Sequence, residues 1–314
     1  MTLEVGVSMH DSLLVPDPVQ RRRLLDAAVD AGLDHVTLGD HVSFHGGTGF
    51  DGLLTATSVL STHDTVRALL GVYQLALRHP LVTARALASL SQIAPGRLVL
   101  GVGAGGEDRS EVSNCGVDPA TRGRRLDECL LLLRRLATGE PVDHDGEFFS
   151  LRGAAILPAP APLVPIVIGG AGDAAVRRTA TFGDGWLGIF CTVRRFAETR
   201  GLVLEAAAVQ GRRVEWFGVT VWCGLGADEA AARERLAEHM QTLYRLPREK
   251  FTHLAPAGTP ERVAEFLAPF VAAGAANVSI VPVAPSVEEG VALSAEVARL
   301  LRDVSGPSTL TDLV

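Results

Sequence analysis

Asp40-His41 is the sharpest pair of chemistry-bearing side chains in the sequence. A histidine beside a carboxylate at a strand end can be held in one tautomer and can give or take a proton near neutral pH. The plainer reading is a loop histidine satisfied by backbone. His41 and His45 stand four apart, as helical metal ligands do, but Phe44 and Gly46-Gly47 mark a loop, so no metal is expected. Two glycine segments are the other candidates. Gly101-Val102-Gly103-Ala104-Gly105-Gly106 ends an apolar run, and Gly169-Gly170-Ala171-Gly172 precedes a helical stretch that starts near Asp173. Bare glycine backbone leaves N–H groups open to an anion, and a helix N-terminus adds its positive dipole end. The plainer reading is a set of tight turns that need positive φ. Arg109 could pair with a phosphate in bidentate fashion, although most arginines of such a chain are solvated surface.

Gly101, Gly103 and Gly106 fit G-x-G-x-x-G, yet the glycines run into the polar stretch Glu107 to Glu111, and an arginine-rich helix stands where a Rossmann site needs its acidic residue. A dinucleotide fold is therefore rejected. The four cysteines lack C-x-x-C spacing, which argues against a zinc site or a disulfide framework. The net charge of −7 argues against nucleic-acid or anionic-membrane binding. No long uninterrupted apolar run exists, and the N-terminus lacks the pattern of a secretion signal, so a cytoplasmic location is expected.

Eight short β-branched or apolar runs must position these residues: 3–9, 35–39, 66–75, 98–102, 165–168, 185–190, 215–224 and 277–283. Segments with apolar residues at helical spacing alternate with them, and the alternation predicts a single (β/α)8 barrel domain over 1–314. Pro18, Pro80 and Pro260 fit first helical turns; Gly32, Gly139 and Gly274 fit helix ends. Two insertions are expected, a hairpin around Asp145-Gly146 with a proline-rich connector, and a segment from Tyr244 to Gly258. In such a barrel the site lies at the C-terminal strand ends, where His10, Asp40-His41, Gly71-Val72-Tyr73 and the glycine segments fall.

In order along the chain, DAAVDAGLDHVTLGDH, RHPLVTARALASLSQIAPGRLVLGVGAGG, GVDPATRGRRLDECLLLLRRLATGEPV and PIVIGGAGDAAVRRTATFGDGW resemble the bacterial luciferase-like flavin and deazaflavin oxidoreductases over residues 3 to 190. The resemblance implies a (β/α)8 barrel, a homodimer or higher homo-oligomer, and FMN or coenzyme F420 at the strand ends. It also implies a non-proline cis peptide at Gly71-Val72 against the ring, and a place for Asp40 and His41 in the cofactor and substrate site. Sugar-phosphate dehydrogenases of this type continue as GxGE with a catalytic glutamate. Here Gly106 takes that position, Glu107 follows one place later, and the phosphate-binding lysines are missing, so that substrate is not carried over.

The expected activity is F420-dependent hydride transfer to or from a small organic substrate, with His41 handling the proton and Asp40 assisting. Gly71, Val72, Gly103 to Gly106, Arg109 and Gly169 to Gly172 are expected at the cofactor. The alternative is an FMN-dependent monooxygenase that uses O2 and reduced flavin from a separate reductase, behind an apolar lining of Phe44, Trp186, Phe190 and Trp222. A non-catalytic flavin-binding barrel is a third reading, which His41 argues against.

Overall fold

The computed structural model describes residues 2–9, 11–13, 15–105, 108–245 and 247–305. The chain runs β1 (Glu4–Ser8), α1 (Pro18–Asp30), β2 (His35–Leu38), α2 (Gly52–Thr62), β3 (Ala68–Tyr73), α3 (Pro80–Ile93), β4 (Leu98–Val102), α4 (Arg109–Asn114) and α5 (Arg122–Leu136). The hairpin β5 (Val142–Asp145) and β6 (Ser150–Ala154) follows, then β7 (Ile166–Gly169), α6 (Asp173–Phe182), β8 (Gly185–Ile189), α7 (Val193–Val209) and β9 (Trp216–Leu225). The last elements are α8 (Glu229–Tyr244), β10 (Ala257–Gly258), α9 (Pro260–Ala272), β11 (Asn277–Val283) and α10 (Val287–Ser305).

Eight strands pair in parallel in the order β11-β1-β2-β3-β4-β7-β8-β9, and β9 pairs back onto β11, closing a (β/α)8 barrel. All eight coincide with the runs expected from sequence, and the Asp145-Gly146 hairpin forms. The helix punctuation holds too. Pro18, Pro80 and Pro260 open α1, α3 and α9, and Gly32, Gly139 and Gly274 take positive φ just past helix ends. The second insertion starts earlier than expected. Helix α8 belongs to it, because the segment after α8 forms only the two-residue β10 on the end of β9, and α9 is the helix that leads into β11.

Strand alternation sorts the barrel into two layers. Val5, Val7, Val36, Leu38, Leu70, Leu100 and Ile168 join the core that includes residues of the surrounding helices. Leu69, Val167 and Leu187 form a separate cluster with Val99 and Trp216. Toward β1, β2 and β11 the interior turns polar: His35 Nε2 lies 3.0 Å from Ser279 Oγ, which also accepts from Thr37 Oγ1 at 3.0 Å. Gly6 leaves space for that imidazole, since a Cβ there would sit 2.3 Å from its Nε2. Among the described residues no helix is long and apolar enough to cross a membrane.

Burial pushes the His35 imidazole down from 6.5 to about 4. Between those values the unfolded chain binds a proton that the folded chain refuses. The contribution of His35 to stability is therefore complete above pH 6.5 and is lost as pH falls toward 4. Urea titrations across this range should show a loss on the order of 3 kcal/mol attributable to His35. His35→Gln should flatten the dependence; identical slopes for the two chains would contradict the assignment.

Candidate functional site

The rim at the C-terminal strand ends divides into two arcs. The first begins with Asp40, just past β2 and 2% exposed. Its Oδ1 accepts from the Gly52 N–H at 2.8 Å and from Arg78 Nη2 at 2.7 Å. Oδ2 accepts from the Gln74 N–H and from Arg78 Nη1, both at 2.8 Å. Burial pushes this carboxyl above the ordinary carboxylate value, and Arg78 with the two backbone donors offsets only part of that rise. The charge is sustained by these partners, and Arg78 itself is braced by Asp51 at 3.1 Å and by the Tyr73 ring.

His41 turns the other way. Its Nδ1 lies 3.1 Å from Glu111 Oε2 on α4, and Gln74 Nε2 donates to the same oxygen at 3.1 Å. Glu111 Oε1 accepts from the Val42 and Ser43 N–H groups at 2.6 and 3.0 Å. Burial alone would raise the Glu111 carboxyl; the donors from Ser43, His41 and Gln74 outweigh it and hold the group below the usual carboxylate range. Gln74 Nε2 also lies 3.1 Å from His41 Nδ1, but its two hydrogens are taken by the Asp40 carbonyl and Glu111 Oε2; an ionised carboxylate only accepts, so we assign the imidazole hydrogen to Nδ1, which leaves Nε2 as the basic nitrogen. The His41 side chain is 36% exposed and Glu111 2%, so the carboxylate side is sealed and the histidine keeps access to the mouth. Phe44, buried, packs its ring 4.1 Å from the imidazole.

The Gly71–Val72 peptide is cis, as the resemblance implies. The Val72 side chain rests on glycines of the next two strands. A Cβ at Gly103 would lie 2.6 Å from Val72 Cγ2, and one at Gly169 would lie 2.8 Å from Cγ1. At Gly101 a Cβ would meet the Leu70 carbonyl at 2.0 Å, and at Gly105 it would meet Gln74 Oε1 at 2.5 Å. These glycines therefore make room for β3 and Gln74, and the Gly103 N–H already donates to the Tyr73 carbonyl at 3.2 Å. The expectation that they leave N–H groups open to phosphate needs correction at Gly103. Gly170 and Ala171 are exposed, and Gly172, at φ +85°, caps α6 without any side-chain bond. Asp173 places a carboxylate in the first turn of that helix. Trp186 Nε1 fixes the loop by donating to the Gly170 carbonyl at 2.9 Å.

The opposite arc is apolar. Phe190, Trp222 and Tyr244 are half-buried and pack on a cluster that includes Met240, Phe251 and Val283. Trp222 Nε1 donates to Tyr244 Oη at 3.2 Å. The arcs are linked where Arg245 Nη2 donates to the His45 carbonyl at 2.6 Å, while the His45 N–H donates to Asp108 at 2.7 Å.

The structure thus brings Asp40, His41, Gly71, Val72, Gly103, Ala104 and Gly105 together on adjacent strand ends, with Gly169 to Gly172 beside them on β7. Arg109 is exposed at the start of α4. Arg122 donates Nε to the Gly105 carbonyl at 3.2 Å, so a different guanidinium stands at the glycine segment. His10, Gly106 and Glu107 lie outside the described residues. Of the aromatics expected to line the site, Phe190 and Trp222 are half-buried on the apolar arc and Phe44 packs on His41, whereas Trp186 packs into the outer core 5.3 Å from Phe196. The carboxylate beside His41 is Glu111, not Asp40. Sequence reasoning missed Glu111, Gln74 and Arg78. Asp108 followed by Glu111 carries a capping-box spacing, and Asp108 does cap α4, but Glu111 is diverted to the loop after β2.

A family model described as luciferase-like monooxygenase matches residues 4–277. An F420-dependent glucose-6-phosphate dehydrogenase of Mycobacterium avium is 34% identical over 212 residues, covering 62% of this chain and 61% of that protein. The curated relatives it matches are spanned over 52% to 61% of their own length. The fold is shared with an F420-dependent secondary alcohol dehydrogenase in complex with an F420-acetone adduct, at TM-score 0.84 and 20% identity over 96% of this chain and 100% of that one. It is shared also with the FMN-bound oxygenating constituent of 3,6-diketocamphane monooxygenase from Pseudomonas putida, at TM-score 0.75 and 16% identity over 95% and 98%.

Removing one partner of the buried Asp40–Arg78 pair leaves an uncompensated charge. Arg78→Ala and Asp40→Ala should each destabilise the fold by about 3–5 kcal/mol in chemical denaturation. A loss below about 1 kcal/mol, the range of an exposed ion pair, would contradict the anchoring role.

Proposed function

The chain belongs to the luciferase-like monooxygenase family, and from that premise we propose that it is an F420-dependent oxidoreductase that moves a hydride between the deazaflavin and a small organic substrate. The observation that carries this reading is the His41–Glu111 pair just past the end of β2, the strand beside the one with the Gly71–Val72 cis peptide. Similarity to F420-dependent glucose-6-phosphate dehydrogenases supports the choice of F420.

The residues present fit such a group. Val72, seated in its glycine cradle, offers a flat ring a fixed apolar support, and the α6 start with Gly170 to Gly172 would take the phosphate. When bound, the deazaflavin supplies or accepts the hydride. His41 Nε2 takes the hydroxyl proton of an alcohol undergoing oxidation, or returns it to a carbonyl undergoing reduction. Glu111 positions His41 and stabilises the imidazolium that forms; Gln74 ties Glu111 to the Asp40 backbone carbonyl at 3.0 Å. Asp40 acts through position alone, since its oxygens are already engaged. Phe44, in the loop 42–49, packs against one side of the imidazole.

A second reading, an FMN-dependent monooxygenase supplied by a separate reductase, is favoured by the apolar arc, which suits a water-excluding oxygen chemistry. The homo-oligomer and the cytoplasmic location remain part of the proposal.

His41→Ala should lower turnover with reduced or oxidised F420 by about 10²–10⁴-fold while F420 still binds. Glu111→Gln should lower kcat while leaving F420 binding nearly unchanged, because Nδ1 loses the carboxylate that orients the ring. An unchanged kcat in Glu111→Gln would remove Glu111 from the proton-handling unit, and full activity in His41→Ala would overturn the proposal.

A further inference from the structure

The apolar arc specifies a kind of substrate. β8 and β9 alternate inward and outward, and the inward register that carries Leu187 and Trp216 low in the barrel brings Ile189 and Trp222 to the mouth. Ile189 is 37% exposed although it lies on a barrel strand. Above it, the insertion that begins with α8 adds Tyr244, whose ring stands at 85° to Trp222, and Phe190 meets Tyr244 edge-on at 5.3 Å. Phe190 holds this place at φ +49°, a left-handed conformation that a bulky residue seldom takes.

Among the described side chains, the arginines of these elements are directed elsewhere, and the His239 ring packs on Trp222 at 5.3 Å. Arg235 donates to the Leu225 carbonyl, Arg233 pairs with Glu229, and Arg245 donates to the His45 carbonyl. Arg194 and Arg195 at the start of α7 face Glu198. Lys250 is exposed on the short turn 248–250. The wall presents mostly aromatic faces and edges, so a neutral ring gains contacts there while a hydrated anion gives up more water than the wall replaces.

We propose that Trp222, Phe190, Tyr244 and Ile189 form the substrate-recognition wall for an uncharged, ring-bearing organic molecule, and that the wall rejects phosphorylated substrates. The inference rests on the reading above, in which the cofactor occupies the opposite arc. It sets this chain apart from its glucose-6-phosphate dehydrogenase relatives in substrate.

Saturation-transfer NMR on the full-length protein tests it, with acetophenone, cyclohexanone and glucose 6-phosphate as probes and F420 binding followed separately by deazaflavin fluorescence. Transfer to the two ketones and none to glucose 6-phosphate is expected. Trp222→Ala should cut the ketone signal at least about five-fold, while Trp222→Phe, which keeps a ring, should retain most of it. Circular dichroism matching the parent chain establishes that each variant folds. Transfer to glucose 6-phosphate, no transfer to either ketone, or a ketone signal unchanged in Trp222→Ala would overturn the wall. If F420 fails to bind while the ketone signal still depends on Trp222, the cofactor reading falls and the wall stands.

Discussion

One buried carboxylate sets the geometry on which the site depends. Asp40 joins the end of β2 to the first turn of α2 through Gly52, to the end of β3 through Gln74, and to Arg78 just before α3. A charge buried this deeply persists only while its donors are satisfied, so the three segments are held in one arrangement. The residues next to those donors are the ones proposed to carry the chemistry. His41 follows Asp40 directly, and the Gly71–Val72 bulge ends two residues before Gln74. The anchor is thus distinct from the proposed proton carrier, and the carboxylate beside the histidine is Glu111.

Around that anchor the mouth separates by chemistry. The arc from β2 to β7 combines an oriented imidazole, a bulge seated on glycines and a helix start without a side-chain cap, the parts proposed to hold a flat anionic cofactor. The arc from β8 to β11 is aromatic and is enlarged by the insertion that begins with α8. Arg245 joins the two halves by holding the loop whose Phe44 packs on His41. Substrate choice can then vary on the apolar side without disturbing the proton-handling side, in keeping with a barrel whose loops carry function on a constant frame.

Much of the frame is legible in the sequence. Parallel strands buried on both faces read as short apolar runs, and prolines and glycines mark helix starts and ends, so all eight strands fall where the pattern puts them. Asp40, His41 and the Gly71–Val72 cis bond were accessible as well, the last through family resemblance. What stayed hidden depends on contacts between distant residues. Gly101, Gly103 and Gly105 read as an anion loop because sequence cannot show that Leu70, Val72 and Gln74 fill the space their missing side chains leave. Glu111 stands 70 positions from the histidine it serves, and its local pattern announces only a helix start. Asp40 and His41 are neighbours in the chain, yet they face different partners.

The central claim is that this arrangement serves a deazaflavin. Fluorescence titration of the purified full-length protein with F420 and with FMN, in the same buffer and salt, tests it most directly. The account predicts micromolar or tighter binding of F420 and at least about ten-fold weaker binding of FMN. Tighter binding of FMN, with F420 weak or absent, would contradict it and make the oxygen-dependent flavin chemistry the better reading.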